Sequence, residues 1–165
     1  MKVLILFITF ILSQNILSQD KWEKLNGPSG GAITGLFVKG DTIIANTMLF
    51  KGVIFFSVDG GILWHKADIK LPGRITDFVN TNDNGFVAVT LNNGIYKSYD
   101  LINWTNQANL NDEFWNLGKD YNGKLYAGTD EGNIYISTND GNTWNIDLIN
   151  AGGRIENFIL YKDST

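Results

Sequence analysis

Ser57–Trp64 reads SVDGGILW, with Ser, Asp, Gly and Trp at offsets 0, 2, 4 and 7. A near copy, STNDGNTW, occupies Ser137–Trp144 with Asn139 in place of the Asp, and a shorter one without the Gly, SYDLINW, runs from Ser98 to Trp104. Other marks keep the same spacing. Trp22, Trp64, Trp104 and Trp144 lie 42, 40 and 40 residues apart. Two apolar series run in step with them: Ile33, Ile75, Phe114, Ile155 and Leu36, Phe78, Leu117, Phe158. The chain is therefore built on a repeat of about 40 residues.

Within each unit the local chemistry is that of strands. Residues 33–47, 75–90 and 114–129 each hold two apolar, β-branched or aromatic runs around a short Gly/Asn/Asp turn, the composition of a hairpin. A third run follows (GVIFFS, GIYKS, GNIYIS), and a fourth begins after the Trp of the octet. Four short antiparallel strands repeated at this period predict an all-β fold of β-propeller blades. The expected blades are 31–68, 73–108 and 112–149, with an outer strand around 21–25 and the first strand of a next blade in 153–165. That gives three complete blades where closed propellers have about four to eight. The chain then reads as the N-terminal part of a larger propeller closed by C-terminal blades, or as a truncated gene product; self-association of arcs into a ring is the alternative.

The octet itself reads as a turn between third and fourth strands. Its carboxylate accepts backbone N–H groups, its Gly takes a left-handed conformation, its Ser adds a local hydrogen bond, and its Trp packs between sheets. Ser57, Asp59, Gly61 and Trp64, then Ser98, Asp100 and Trp104, then Ser137, Asn139, Gly141 and Trp144 are structural residues on this reading. A motif present in every blade is a poor candidate for a site that occurs once.

The pattern Ser-x-Asp-x-Gly-x-x-Trp resembles the Asp-box, or bacterial neuraminidase repeat, of the sialidase-like and YVTN-type propeller superfamily. The resemblance covers the chain from about Trp22 onward. It implies that the boxes sit at the rim opposite the binding face. It also implies membership of a group holding sialidases, xyloglucan hydrolases, sortilin-type receptors, photosystem assembly factors and secreted proteins of no known activity.

The chain has 165 residues and a formal charge of −4 with both signs interspersed, so no basic stripe exists for a phosphate backbone and nucleic acid is excluded as a partner. Lys2 followed by the apolar run Val3–Leu12 and polar residues reads as an export signal spanning 1–18, with cleavage after Ser18. An uncleaved anchor is the alternative, but ten apolar residues fall short of the roughly 20 that cross a bilayer. The absence of Cys removes both a disulfide framework and a lipidated cysteine, and favours a bacterial envelope or extracellular location.

In a propeller the loops between second and third strands share an end with the links between blades, and that end is where a ligand is expected. Arg74 and Arg154, the only arginines, precede the aligned Ile75 and Ile155, with Glu113 at the same place before Phe114. Two guanidinium forks converging there would grip a carboxylate, a sulfate or an acidic sugar. The alternative is that each pairs with a neighbour such as Glu113. Lys51, Asp130, Glu131 and Trp115 complete the candidates at this channel mouth, Trp115 as a sugar-stacking ring or as core. His65, at the start of an outer strand, is not a catalytic candidate. The stretch NTNDNG (80–85) has the spacing of a calcium-loop start but ends on Leu91 where the bidentate Glu belongs, so no metal and no cofactor is assigned.

Sialidases, by the same resemblance, need three arginines around a carboxylate, a Tyr/Glu pair, an Asp acid and an Arg-Ile-Pro motif. The chain has Arg74-Ile75-Thr76 and Arg154-Ile155-Glu156 instead, and no catalytic site is identified. The expected function is a binding or scaffold module for extracellular glycans or proteins. The alternative is a glycoside hydrolase whose catalytic groups lie partly beyond Thr165.

Overall fold

The computed structural model describes residue 27 and residues 32–47, 53–67, 71–108 and 110–159. The predicted export signal, the strand around 21–25 with Trp22, and Lys51 lie outside the described residues.

Twelve strands form three four-stranded antiparallel meanders, and the described residues hold no helix. The first sheet is β1 (Ile33–Lys39), β2 (Thr42–Thr47), β3 (Ile54–Ser57) and β4 (His65–Ala67). The second is β5 (Ile75–Asn80), β6 (Phe86–Thr90), β7 (Gly94–Ser98) and β8 (Thr105–Ala108). The third is β9 (Phe114–Lys119), β10 (Leu125–Thr129), β11 (Ile134–Ser137) and β12 (Asn145–Leu148). The all-β expectation and the three blades stand as read from the sequence. Residues 153–159, expected to begin a fourth blade, make no ladder. A first strand hydrogen-bonds only to the second strand of its own blade, and no such strand is among the described residues.

The sheets stack face to face, and the core lies between them. Ile44 and Ile54 of the first sheet, joined by Phe37 and Phe56, pack on Ile75, Phe78, Ala88 and Tyr96 of the second. The Phe37 ring meets Phe78 and Phe86 edge-on at 6.1 and 6.0 Å. On its other face the second sheet offers Val87, Val89 and Ile95 to Phe114, Leu117, Leu125, Ala127 and Tyr135 of the third. At the outer side of β1 the column continues without a partner among the described residues, and Leu36 and Val38 are 65% and 57% exposed.

The octets close the turns after β3, β7 and β11 as their composition predicts, with one difference. Ser57 Oγ accepts the Gly61 N–H at 2.8 Å, and Ser137 Oγ accepts that of Gly141 at 2.9 Å. Gly61 and Gly141 are left-handed, at φ 93° and 81°. In the shortened copy Leu101 takes the left-handed place at φ 65° and donates to Ser98 Oγ at 2.9 Å. A leucine there is strained, and Asp100 compensates with bonds from Ile102 N–H, Asn103 N–H and the Asn103 amide. Trp104 and Trp144 donate to Leu101 O and Gly141 O, both at 3.1 Å. Their rings are half-buried against the intersheet clusters rather than fully enclosed.

The third copy shows why Asn139 replaces Asp without loss. Its Oδ1 accepts the Thr143 N–H as Asp59 accepts that of Leu63, and its amide NH2 donates to the Thr143 hydroxyl. At the second copy the neighbouring group is a donor, Asn103 Nδ2, so an amide would face an amide.

Ser137→Ala leaves the buried Gly141 N–H without its acceptor and is expected to cost about 1–3 kcal/mol, measured by urea unfolding. The Asn103 N–H and amide, with the Ile102 N–H, hold Asp100 below its ordinary 3.8. A lowered folded value means its contribution is complete above 3.8 and is lost as pH falls through the folded value. Asp100→Asn should therefore weaken the fold at neutral pH and flatten acid unfolding below that range, followed by far-UV circular dichroism.

Candidate functional site

Two opposite ends of the stacked sheets carry the loops. One end holds the octets with the hairpins joining first to second strands: Gly60 N–H donates to Asp41 O, and Asn82 N–H to the Asp140 carboxylate. The other end holds the β6–β7 and β10–β11 turns with the links between sheets. There Leu91 bridges Glu113, the Asp130 N–H donates to Glu113 O, and Ala151 donates to Gly132 O.

Each first strand carries a bulge at this second end, at Thr34, Thr76 and Trp115. A bulge leaves one residue unpaired and re-aims its side chain. Thr76 turns its hydroxyl to Phe114 O at 2.8 Å. Trp115 occupies the third bulge, where the repeat has Thr in the first two sheets, and its ring becomes the floor of the candidate site.

Both arginines reach that ring. The Arg154 guanidinium carbon lies 3.8 Å from the Trp115 ring centroid, and that of Arg74 lies 6.0 Å away. Their charges are handled differently. Arg154 Nε donates to the Asp130 carboxylate and its Nη1 approaches Glu156 at 3.8 Å. Arg74, half-buried, has no ion pair among the described residues. The Nε–H of Arg74 and the Nε1–H of Trp115 are both shielded from solvent with no acceptor among the described residues. Buried polar groups without partners are uncommon, and each asks for an explanation.

Arg154 is placed from below by two glycines of the third sheet. Ile155 and Phe158 lie over Gly128 and Gly118, so close that an added Cβ would stand 2.5 Å from Ile155 and 2.8 Å from Phe158. The Ile155 N–H donates to Thr129 O at 3.0 Å and fixes the link. Phe158 also packs its ring against Tyr126, with centroids 5.8 Å apart.

The rest of the end is acidic. A depression of about 290 Å³ is lined by Asn92, Asp112, Glu113, Thr129, Asp130 and Glu131. Asp112 accepts the Tyr135 hydroxyl, and burial together with that carboxylate pushes the phenol up to about 12. Deeper, burial raises the carboxyl of Asp77, against the opposing effect of the Leu117 and Phe78 N–H groups, bonded at 2.9 and 2.8 Å.

Of the sequence candidates, the structure brings Arg74, Arg154, Trp115 and Asp130 together and sets Glu113 and Glu131 beside them; Lys51 lies outside the described residues. The alternative reading, in which each arginine pairs with a neighbour such as Glu113, describes Arg154, whose bonded neighbour is Asp130, and not Arg74 among the described residues. Trp115 is half-buried and stacked rather than core. His65 stacks on Phe56 at the opposite edge of its sheet, away from this end. The Asp83 carboxylate of the calcium-like stretch is taken up by Lys97, Thr81 and Tyr99. Burial opposes its ionisation, yet those bonds hold it well below the usual carboxylate range. Among the described residues no three metal-ligating side chains cluster.

No protein-family model and no curated protein matches the chain. Solved structures do match. YCF48 bound to D1 peptide aligns with TM-score 0.54 and 17% identity over 81% of this chain and 46% of its own. An ancestral GH74 enzyme aligns at 0.63 and 18% over 81% of this chain and 20% of its own. The computationally designed Ika4 protein aligns at 0.62 and 16% over 85% of this chain and 86% of its own. These likenesses establish the fold: the chain is an all-β protein of β-propeller blades. It spans less than half of the YCF48 chain and a fifth of the GH74 chain.

Gly128→Ala is expected to lift the link carrying Arg154 off the third sheet. Amide exchange at Ile155, read by hydrogen–deuterium NMR, should quicken by about 10-fold or more as the bond to Thr129 O opens.

Proposed function

We propose that the chain is part of an exported Asp-box propeller that serves as a binding or scaffold module for an extracellular protein or glycan. On this reading it holds an anionic group of its ligand at the Arg74–Trp115–Arg154 mouth. The observation that carries the reading is Arg74. Its guanidinium lies over an indole, half-buried and without a counter-ion among the described residues, and its Nε–H and the neighbouring indole N–H both lack acceptors. An incoming carboxylate can pair with the part of Arg74 that stays exposed at little desolvation cost to the protein, because the half-buried guanidinium has already met much of that cost without a counter-ion. The peptide named in the YCF48 structure supports a protein ligand by analogy of fold. Export through residues 1–18, an envelope or extracellular location, and closure of the ring by further blades or copies belong to the same proposal.

A glycoside hydrolase is the second reading, favoured by the GH74 enzymes among the matched folds. It asks for two available carboxylates flanking a cleft. At this end Asp130 is bonded to Arg154 and Asp112 to Tyr135.

The test is a titration of the folded protein with acidic and neutral peptides and glycans, alongside fluorogenic glycosides. Acidic ligands should bind without turnover. Arg74→Gln should weaken them by about 10- to 100-fold, the range of a lost charge-assisted hydrogen bond. Binding that ignores Arg74→Gln overturns the assignment, and reporter release would favour the hydrolase.

A further inference from the structure

The two arginines of the mouth are not equivalent, and the difference sets what charge the site accepts. Arg154 lies on the Trp115 ring, its Nε donates to Asp130, and its Nη1 faces Glu156 at 3.8 Å. Asp130 is itself fixed, since its N–H donates to Glu113 O in the turn after β10. A carboxylate tethered in this way competes with any ligand at a high effective concentration, although the pair is about 38% and 37% exposed and modest in free energy. Arg74 has no such competitor among the described residues.

We propose, resting on the binding reading above, that Asp130 is a specificity-determining residue. It withholds Arg154 from the ligand, so the mouth takes one planar monoanionic carboxylate on Arg74 and discriminates against a dianionic phosphate monoester. A single guanidinium fork matches the two oxygens of a carboxylate and neutralises one charge. A phosphate monoester brings close to two charges and needs a second cation. The second cation is already neutralised, and Glu113 and Glu131 line the adjoining depression with like charge. The ligand class is then an uronate-type sugar, an acidic side chain or a chain terminus, all presenting the same carboxylate. It is not a phosphorylated sugar or peptide.

The experiment uses two probes of similar size, glucuronate and glucose 6-phosphate, at about pH 8, where the phosphate is doubly charged. The readout is the Arg Nε–H resonances of the full folded chain, and only two arginines need assignment. Glucuronate should shift Arg74 and bind at least about 10-fold more tightly than glucose 6-phosphate. In Asp130→Asn, glucose 6-phosphate should gain about 10-fold and shift Arg154 as well. Asp130→Glu, which keeps the competing carboxylate, should retain the wild-type ratio and guards against an effect of misfolding. Equal affinities in the wild type, or a ratio unmoved in Asp130→Asn, overturn this inference while leaving the binding reading in place. Silence of Arg74 toward both probes in all three proteins overturns the binding reading and this one together.

Discussion

The second sheet carries Phe78, Ala88 and Tyr96 on one face and Val79, Val87 and Ile95 on the other, so it has no face to give to water. A sheet of this kind exists only between two others, and the whole architecture follows from that. The strands are short because each sheet is a spacer, and the links are short because neighbours must stack. The ends of the sheets collect every loop. Stability in such an array is the sum of what each unit does alone and what it gains from its neighbours. The exposed Leu36 and Val38 show what a face without a neighbour looks like.

The octet turns and the candidate mouth divide the work between the two ends. At the octet end, carboxylates and amides are consumed in closing turns. At the other end, main-chain bonds tie the links together, and the side chains are left to face outward. Trp115 is what converts that end from a set of loops into a surface with a floor. Its bulge turns a large aromatic ring to a place where the other sheets keep Thr.

Much of this was legible in the sequence, and what was not has identifiable causes. The period and the octet composition reveal the sheets because turn chemistry is local and repeats. Arg74 and Arg154 are visible as a pair because they occupy one repeat position. The partner of Arg154 was not visible, because Asp130 reaches it across 24 residues through a turn geometry that local pattern does not report. Residues 153–159 have the apolar pattern of a first strand, but pattern supplies no pairing. Lys97 was missed because it was read within its own strand, and Trp115, although a candidate, was not seen to sit on a bulge for the same reason. Read down the column, Trp115 stands with Thr34 and Thr76, and Lys97 with Phe56 and Ile136. A departure from the repeat at one position in one blade was the available signal.

Lys97 shows what such a departure does to the molecule. It is 3% exposed, on the face of the second sheet that meets the third, and its ammonium binds Asp83 at 2.6 Å and Asn142 of the third octet at 3.1 Å. Apolar contacts alone would let similar blades exchange places, since Leu, Ile, Val and Phe pack interchangeably to a first approximation. Asp83 sits in a hairpin of the same sheet and stays with Lys97 in any order, but the amide oxygen comes from the third sheet, and the positions matching Asn142 in the other octets are Ile62 and Ile102, which would leave that side of a buried cation facing hydrocarbon. The Lys97–Asn142 contact thus favours the third sheet over the others as the neighbour of the second, and it limits how freely duplication or recombination of repeats can rebuild this protein.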